Sequence, residues 1–202
     1  YNHFIPSIVR SIISRGEFLT AYTPYQPEVS QGTLQATYDF QTMVCNLYGM
    51  EVSDAGMYDG ASGLAEAALM ACRVTGRSRV VLIGGVSPSY RRVVETYTSP
   101  QDIEVGTLEP GTQGLPEDAA CLIVQYPNYF GYLDDLAAME RMAHDAGALL
   151  VVSSDPVAMG LLKPPGEYGA DIVTGEGQSL GIPLSFGGPY VGFFATREAH
   201  VR

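Results

Sequence analysis

The sequence predicts an α/β fold, a three-layer sandwich with helices on both faces of a mostly parallel sheet. Three observations carry that reading. Short, continuously apolar runs recur at VVLIG (80–84), CLIVQY (121–126) and ALLVVSS (148–154), and runs of this kind are strands buried on both sides. Between them lie segments whose apolar residues repeat at helical spacing. Strand and helix alternate with short connections, with no internal repeat and no low-complexity linker, which is the pattern of parallel strands joined by crossover helices.

Taken in order, residues 1–32 read as an N-terminal arm and 33–202 as the α/β domain. The arm is polar, aromatic and marked by Pro24 and Pro27 in AYTPYQPE. Proline removes a donor and biases the residue before it to extended geometry, so this stretch is expected as an ordered loop and not a helix. A helix is expected from about Thr33 to Tyr48, with Ala36, Phe40, Met43 and Leu47 as its apolar stripe and Gly49 as its stop. Asp59 is a good N-cap for a second helix, LAEAALMACRV. Strand VVLIG, a helix over SYRRVVETY and strand IEVGTL (103–108) follow, and a turn-rich stretch leads to CLIVQY. After the turn PNYFG, a helix is expected from Leu133 to Ala146, with Tyr132, Leu136, Met139, Ala143 and Ala146 as its stripe. Asp134 and Asp135 suit its positive end. Strand ALLVVSS comes next. The chain ends in two strands, 171–174 and 190–195, joined by a long glycine-rich loop, the kind of backbone that packs close against a ligand or a neighbour.

Composition excludes several functions. Eleven basic against 22 acidic residues leave a net charge of −11, which argues against nucleic acid and against an anionic membrane surface as partners. No apolar run approaches the roughly 20 residues of a membrane span. Cys45, Cys72 and Cys121 lack metal-ligand spacing and read as reduced core thiols of a cytoplasmic protein; no metal is expected. The chain opens on Tyr1 and not on Met, with no signal-peptide pattern, and reads as a piece of a longer protein.

Ligands of open α/β sheets bind at the carboxyl ends of the strands. Asp155 sits there, after VVSS, where it can pair with a protonated ring nitrogen or simply cap the turn before Pro156. The stretch Asp59–Gly63 can offer helix N–H groups to a phosphate, but Asp59 puts a negative charge in that seat, which favours capping. Gly84-Gly85 makes no dinucleotide fingerprint. His3, His144 and His200 have no nucleophile partner in the sequence and read as satisfied or exposed. Tyr22 and Tyr25 can donate to a carboxylate ligand or pack at an interface. Lys163, the only lysine, reads as solvated.

These residues together resemble a known family. DGAS at a helix start, PNYFG, the strand-end Asp155 and GADIVTGEGQ before a glycine loop are similar to the large domain of fold-type I pyridoxal-phosphate enzymes. YNHFIPSIVR, FLTAYTPYQPEVSQGTLQATYDFQTMV, MYDGASGLAEAALMA and GEGQSLGIPLSFGGPYVGFFA resemble, more closely, the P-protein family of the glycine cleavage system, on the side of subunit 1 of its two-subunit form. The likeness covers nearly all of the chain. It implies a subunit of an oxidoreductase of glycine catabolism. That enzyme decarboxylates glycine through pyridoxal phosphate as electron sink and passes the aminomethyl group to the lipoyl arm of the H protein. It also implies that the family's small C-terminal domain is absent from this chain.

In the sister subunit the loop resembles His-Lys-Thr-Phe followed by proline and a glycine run. In register, that lysine falls on Gln178, with Pro183 and Gly187-Gly188-Pro189 matching the rest. An amide cannot serve as the Schiff-base amine. The resemblance therefore implies a chain inactive alone, with no catalytic residue and no covalent cofactor, and with Asp155 and Gln178 as a degenerate site. Pyridoxal phosphate is expected on a lysine-bearing subunit 2, two of each in the assembly. Tyr22 or Tyr25 is expected to reach the partner's glycine site. Backbone around Ser185, Gly187 and Gly188 is expected near the partner's cofactor phosphate. Two other readings stand beside this one: a pure scaffold subunit, and an independent pyridoxal enzyme using Lys163.

Overall fold

The computed structural model describes residues 3–19, 23–108, 112 and 114–201. Helix α1 (Ser7–Ile13) and α2 (Gln31–Tyr48) precede the short strand β1 (Val52–Ser53). Then come α3 (Gly60–Thr75), β2 (Arg79–Ile83), α4 (Pro88–Thr98), β3 (Glu104–Leu108), β4 (Ala119–Tyr126), α5 (Leu136–Asp145), β5 (Leu149–Ser154), β6 (Ile172–Glu176) and β7 (Gly192–Thr196). The strands form one seven-stranded sheet in the order β1-β7-β6-β5-β4-β2-β3. Pairs from β3 through β6 are parallel; β7 runs antiparallel to β6, and β1 antiparallel to β7. All but one residue of β4 is buried, and all but the first of β5. Both sheet faces are therefore covered, as the continuous apolar runs predict.

The arm departs from its expected loop. Ser7–Ile13 is helical behind Pro6, a proline placed ahead of the first turn where its missing N–H costs nothing. The prolines that argue against helix, at 24 and 27, lie beyond it. Helix α2 begins at Gln31, so it runs through the expected division at residue 32, and Gly49 ends it in the left-handed region, φ 67°. Half of its expected stripe holds, with Phe40 and Leu47 packed against the core. Val44 and Tyr48 are buried, whereas Ala36 is exposed and Met43 is 66% exposed. The sheet takes the face of Phe40, Val44 and Tyr48, and Phe40 and Tyr48 both pack against Phe193, tilted and edge-on, at 5.5 and 6.1 Å between ring centroids. Met43 instead looks into an open apolar groove of about 500 Å³ with Val9 and Ile13 of α1. Helix α5 starts three residues later than expected. Asp135 is its N-cap, accepting from Ala138 N–H at 3.1 Å, while Asp134 accepts from the Asn128 side chain of the preceding turn at 3.0 Å. Tyr132 is thereby left outside the helix and exposed.

Two contacts tie the sheet to its surroundings. Tyr48, fully buried, donates its hydroxyl to the Ser154 carbonyl at 3.1 Å. A Cβ at Gly175 would lie 2.1 Å from that hydroxyl oxygen, so position 175 admits only glycine. At the other end of β6, buried Asp171 accepts from the Leu150 N–H and from His144 Nε2, both at 2.8 Å, and His200 Nε2 lies 3.6 Å away. The second ring nitrogen of His144 meets Glu140 at 2.8 Å. All three histidines are satisfied or exposed, as expected, although His144 is more fully engaged than a solvated residue. Cys72 and Cys121 are buried free thiols and Cys45 is half-buried, and burial pushes all three up in pKa.

Gly175→Ala forces its methyl into Tyr48 and the Ser154 carbonyl. It is expected to cost about 3 kcal/mol or more, whereas Tyr48→Phe, which removes one hydrogen bond, costs about 1 kcal/mol. Urea unfolding of both and of the double variant checks this; the double variant falls short of the sum, because the clash is partly with the hydroxyl that Phe lacks. Burial works to lower the pKa of His144, but its hydrogen bonds and proximity to Asp171 and Glu140 outweigh it, and the net shift is upward. The protonated ring therefore contributes stability that is fully present below the ordinary histidine value of about 6.5 and is lost as pH rises through the raised folded value. His144→Gln should lower the melting temperature more at about pH 6 than at about pH 9.

Candidate functional site

The carboxyl ends of β4, β5 and β6 open into a polar cleft of about 330 Å³. Strand β5 delivers Asp155, whose carboxylate accepts from the Val157 N–H at 2.9 Å. The turn-capping reading of Asp155 is the one the bond shows, and the residue also lines the cleft. Strand β4 delivers Gln125, whose side-chain oxygen accepts from the Ser87 N–H at 2.8 Å and so fixes the entry to α4. Tyr90, from the first turn of α4, reaches the same cleft. Burial first, and then the charges of Glu176, Asp59 and Asp155, push its phenol up to about 12, so it remains protonated and able to donate.

Beyond β6 the chain makes a single helical turn, Gln178–Leu180. Gln178 is buried in the cleft wall beside Asp155, so the structure brings the two expected degenerate-site residues together. Its side-chain amide donates to the Ile182 carbonyl at 2.6 Å, and its backbone N–H donates to Glu176 at 2.9 Å. The other oxygen of Glu176 accepts from the Gly60 N–H, the first of α3, at 3.0 Å. Asp59 is the N-cap of α3 in a reciprocal capping box: it accepts from Ser62 N–H at 2.7 Å, and Ser62 Oγ accepts from the Asp59 N–H at 3.2 Å. The capping reading of Asp59–Gly63 is the one observed.

The remaining expected residues lie elsewhere. Tyr22 is outside the described residues. Tyr25 is 88% exposed, and Ser185 and Gly187 stand exposed on the glycine loop with Gly188 half-buried; none of these lines the cleft. Ser185 and Phe186 adopt φ of 44° and 57°, a left-handed conformation costing L-residues about 1–2 kcal/mol each. Lys163 lies outside the cleft, 3.9 Å from Glu167 and 4.6 Å over the Tyr168 ring. His3 lines the cleft, which its place near the start of the arm did not signal. Glu176, Tyr90 and Gln125 were likewise not singled out from the sequence; a glutamate at a strand end, two residues before the position of interest, is the one local signal. Among the described residues no group of three His, Cys, Asp or Glu is arranged to hold a metal, and no helix is long and apolar enough to cross a membrane.

Comparison with known proteins gives this geometry its family. A family model described as the glycine cleavage system P-protein matches residues 1–202. A relative in Thermomicrobium roseum, named "Probable glycine dehydrogenase (decarboxylating) subunit 1", is 56% identical over 213 residues; the match takes in 100% of this chain and 48% of the relative. One of the same name in Desulforamulus reducens is 54% identical over 211 residues, with 100% and 47% covered. A crystal structure of a glycine decarboxylase (P-protein) of the glycine cleavage system, in inhibitor-bound form, superposes with a TM-score of 0.92 at 51% identity, over 99% of this chain and 47% of that one. A crystal structure from Listeria monocytogenes described as "a putative L-allo-threonine aldolase", 16% identical with a TM-score of 0.64 over 91% of this chain and 58% of its own, shares the fold. The chain spans about half the length of the curated relatives it matches. With the family model matched from end to end and relatives more than half identical across all of it, the chain belongs to the glycine cleavage system P-protein family.

Proposed function

We propose that this chain is part of subunit 1 of a glycine-decarboxylating P protein, contributing structure and loops to an active site whose reactive lysine lies on a second subunit. The observation that carries the reading is Gln178. It occupies the cleft at the strand ends, and its amide is spent on the Ile182 carbonyl. An amide nitrogen is neither basic nor nucleophilic, so the residues present do not fit a covalently held pyridoxal. The names of the relatives, which call them subunit 1 of glycine dehydrogenase (decarboxylating), support a partner. In this reading pyridoxal phosphate and glycine bind on the partner, two copies of each subunit assemble in the cytoplasm, and the aminomethyl group passes to a lipoylated H protein.

What this chain supplies is presented outward. Tyr25 stands clear of its own fold, and Phe186 projects fully into solvent from a backbone held in the left-handed region. Strain of that kind is retained where a loop has a task, and exposed aromatic side chains are the usual anchors of interfaces. A scaffold subunit is the alternative, since outward placement of these residues serves assembly as well as catalysis.

Mixing decides between these readings. Exchange of the glycine carboxyl group should be absent with this chain alone and should appear on combination with the lysine-bearing subunit; exchange by the chain alone overturns the proposal. Replacing Tyr22 and Tyr25 by Phe should lower turnover by the mixed pair about tenfold, the size of a lost hydrogen bond to a charged ligand. Unchanged turnover leaves the scaffold role.

A further inference from the structure

The polar cleft is edged by oxygens that the fold leaves unspent. Gln125, Ser153 and Thr174 are register partners on β4, β5 and β6, so their side chains share one sheet face at the strand ends. The Gln125 oxygen is taken by the Ser87 N–H. Ser153 is only 4% exposed, lines the cleft, and makes no side-chain hydrogen bond among the described residues. Thr174 Oγ1, beside it on β6, is buried and also without a partner. Ser179, from the turn after β6, brings a third unpartnered hydroxyl to the cleft wall. Buried hydroxyls are ordinarily satisfied, so three unspent around one cleft call for a polar ligand.

Charge decides its kind. Asp155 stands exposed at the cleft; one carboxylate oxygen accepts from the Val157 N–H, and the other has no partner among the described residues. Glu176 lines the same cleft, and no described lysine or arginine does. After burial, the charges of Glu176, Asp59 and Asp155 are what raise the Tyr90 phenol, so their field reaches the interior. A cleft lined by negative charge concentrates cations, and carboxylate and hydroxyl oxygens accept from N–H donors. At about 330 Å³ the cleft is at the small end of ligand sites. We propose that it is a non-covalent seat for a small primary ammonium ion, with the charge set against Asp155 and the N–H groups shared among Asp155, Ser153 and Ser179. The seat does not depend on the partner reading, because it is read by binding to this chain and not by glycine turnover.

Methylammonium chloride is titrated against the chain at constant ionic strength, with sodium chloride as the balancing salt. Binding is read from the rise in melting temperature that a native-state ligand produces and from saturation-transfer NMR on the methyl protons. Tetramethylammonium, which has the same charge but no N–H, is the control and should give no response. Asp155→Asn keeps an acceptor for the Val157 N–H and loses the charge; Ser153→Ala removes one hydrogen bond to the cation. Each should weaken methylammonium binding about tenfold. Glycine titrated in the same way identifies the source: binding of both assigns an amino acid, binding of methylammonium alone a simple amine, and either supports the seat. A methylammonium response no larger than that of tetramethylammonium overturns the proposal, as does undiminished affinity in either variant. Should Ser153→Ala lose its fold, judged by far-ultraviolet circular dichroism, Ser179→Ala is held to the same result.

Discussion

The hydroxyl of Tyr48 is the contact on which the cleft end of the sheet depends. It sits in the space that any side chain at position 175 would need, and its hydrogen bond to Ser154 joins α2 to the last residue of β5. That one placement fixes three things together. It sets how deep α2 lies against β7, through Phe193. It brings β6 close to β5 where both strands end. It also sets the direction in which the chain leaves Gly175, hence where Glu176, Gly177 and Gln178 point. The phenol can hold this position because burial raises its pKa well above any physiological pH, so it always donates.

The layers of the fold were legible because buried parallel strands leave a strong signature: apolar residues on both faces, and so no alternation. β2, β4 and β5 fall within a residue or two of their expected bounds for that reason. Legibility failed where the governing contact is distant in sequence. The stripe of α2, Ala36, Phe40, Met43 and Leu47, was assigned by spacing alone; Phe40 and Leu47 do pack against the core, but Ala36 and Met43 do not, because which face turns inward depends on Phe193, some 150 residues away by sequence numbering. Helix α1 was missed because the prolines of the arm were weighed as if they acted on all of it. The start of α5 was misplaced because Asp134 and Asp135, equal by local rules, are divided by a bond from Asn128.

The site shows the same division. Asp155 could be found because strand ends are where ligands bind, and Gln178 because the resemblance supplies a register. Their meeting in one cleft follows from the parallel order of β4, β5 and β6. The partner of Glu176 could not be found: the Gly60 N–H lies more than 100 positions away, and no local pattern connects a strand-end glutamate to the start of α3. His3 is hidden in the same way, since only the folded arm carries it to the cleft.

A reactive site holds polar groups in reserve, with shifted pKa values and unspent hydrogen-bonding capacity. In the turn after β6 the side chains on either side of Gly177 are committed instead, although the buried Ser179 Oγ beside them has no hydrogen-bond partner among the described residues. The Gln178 amide is committed to Ile182, and both oxygens of Glu176 are committed to backbone N–H groups. Each of these bonds ends on the main chain, so together they fix the course of the backbone from 176 to 182 without help from any ligand. The glycine loop departs from that fixed stretch. Its strained residues Ser185 and Phe186 then stand on a rigid base, which lowers the ordering cost of an encounter. The side chains of Glu176 and Gln178 thus serve as the footing of a loop.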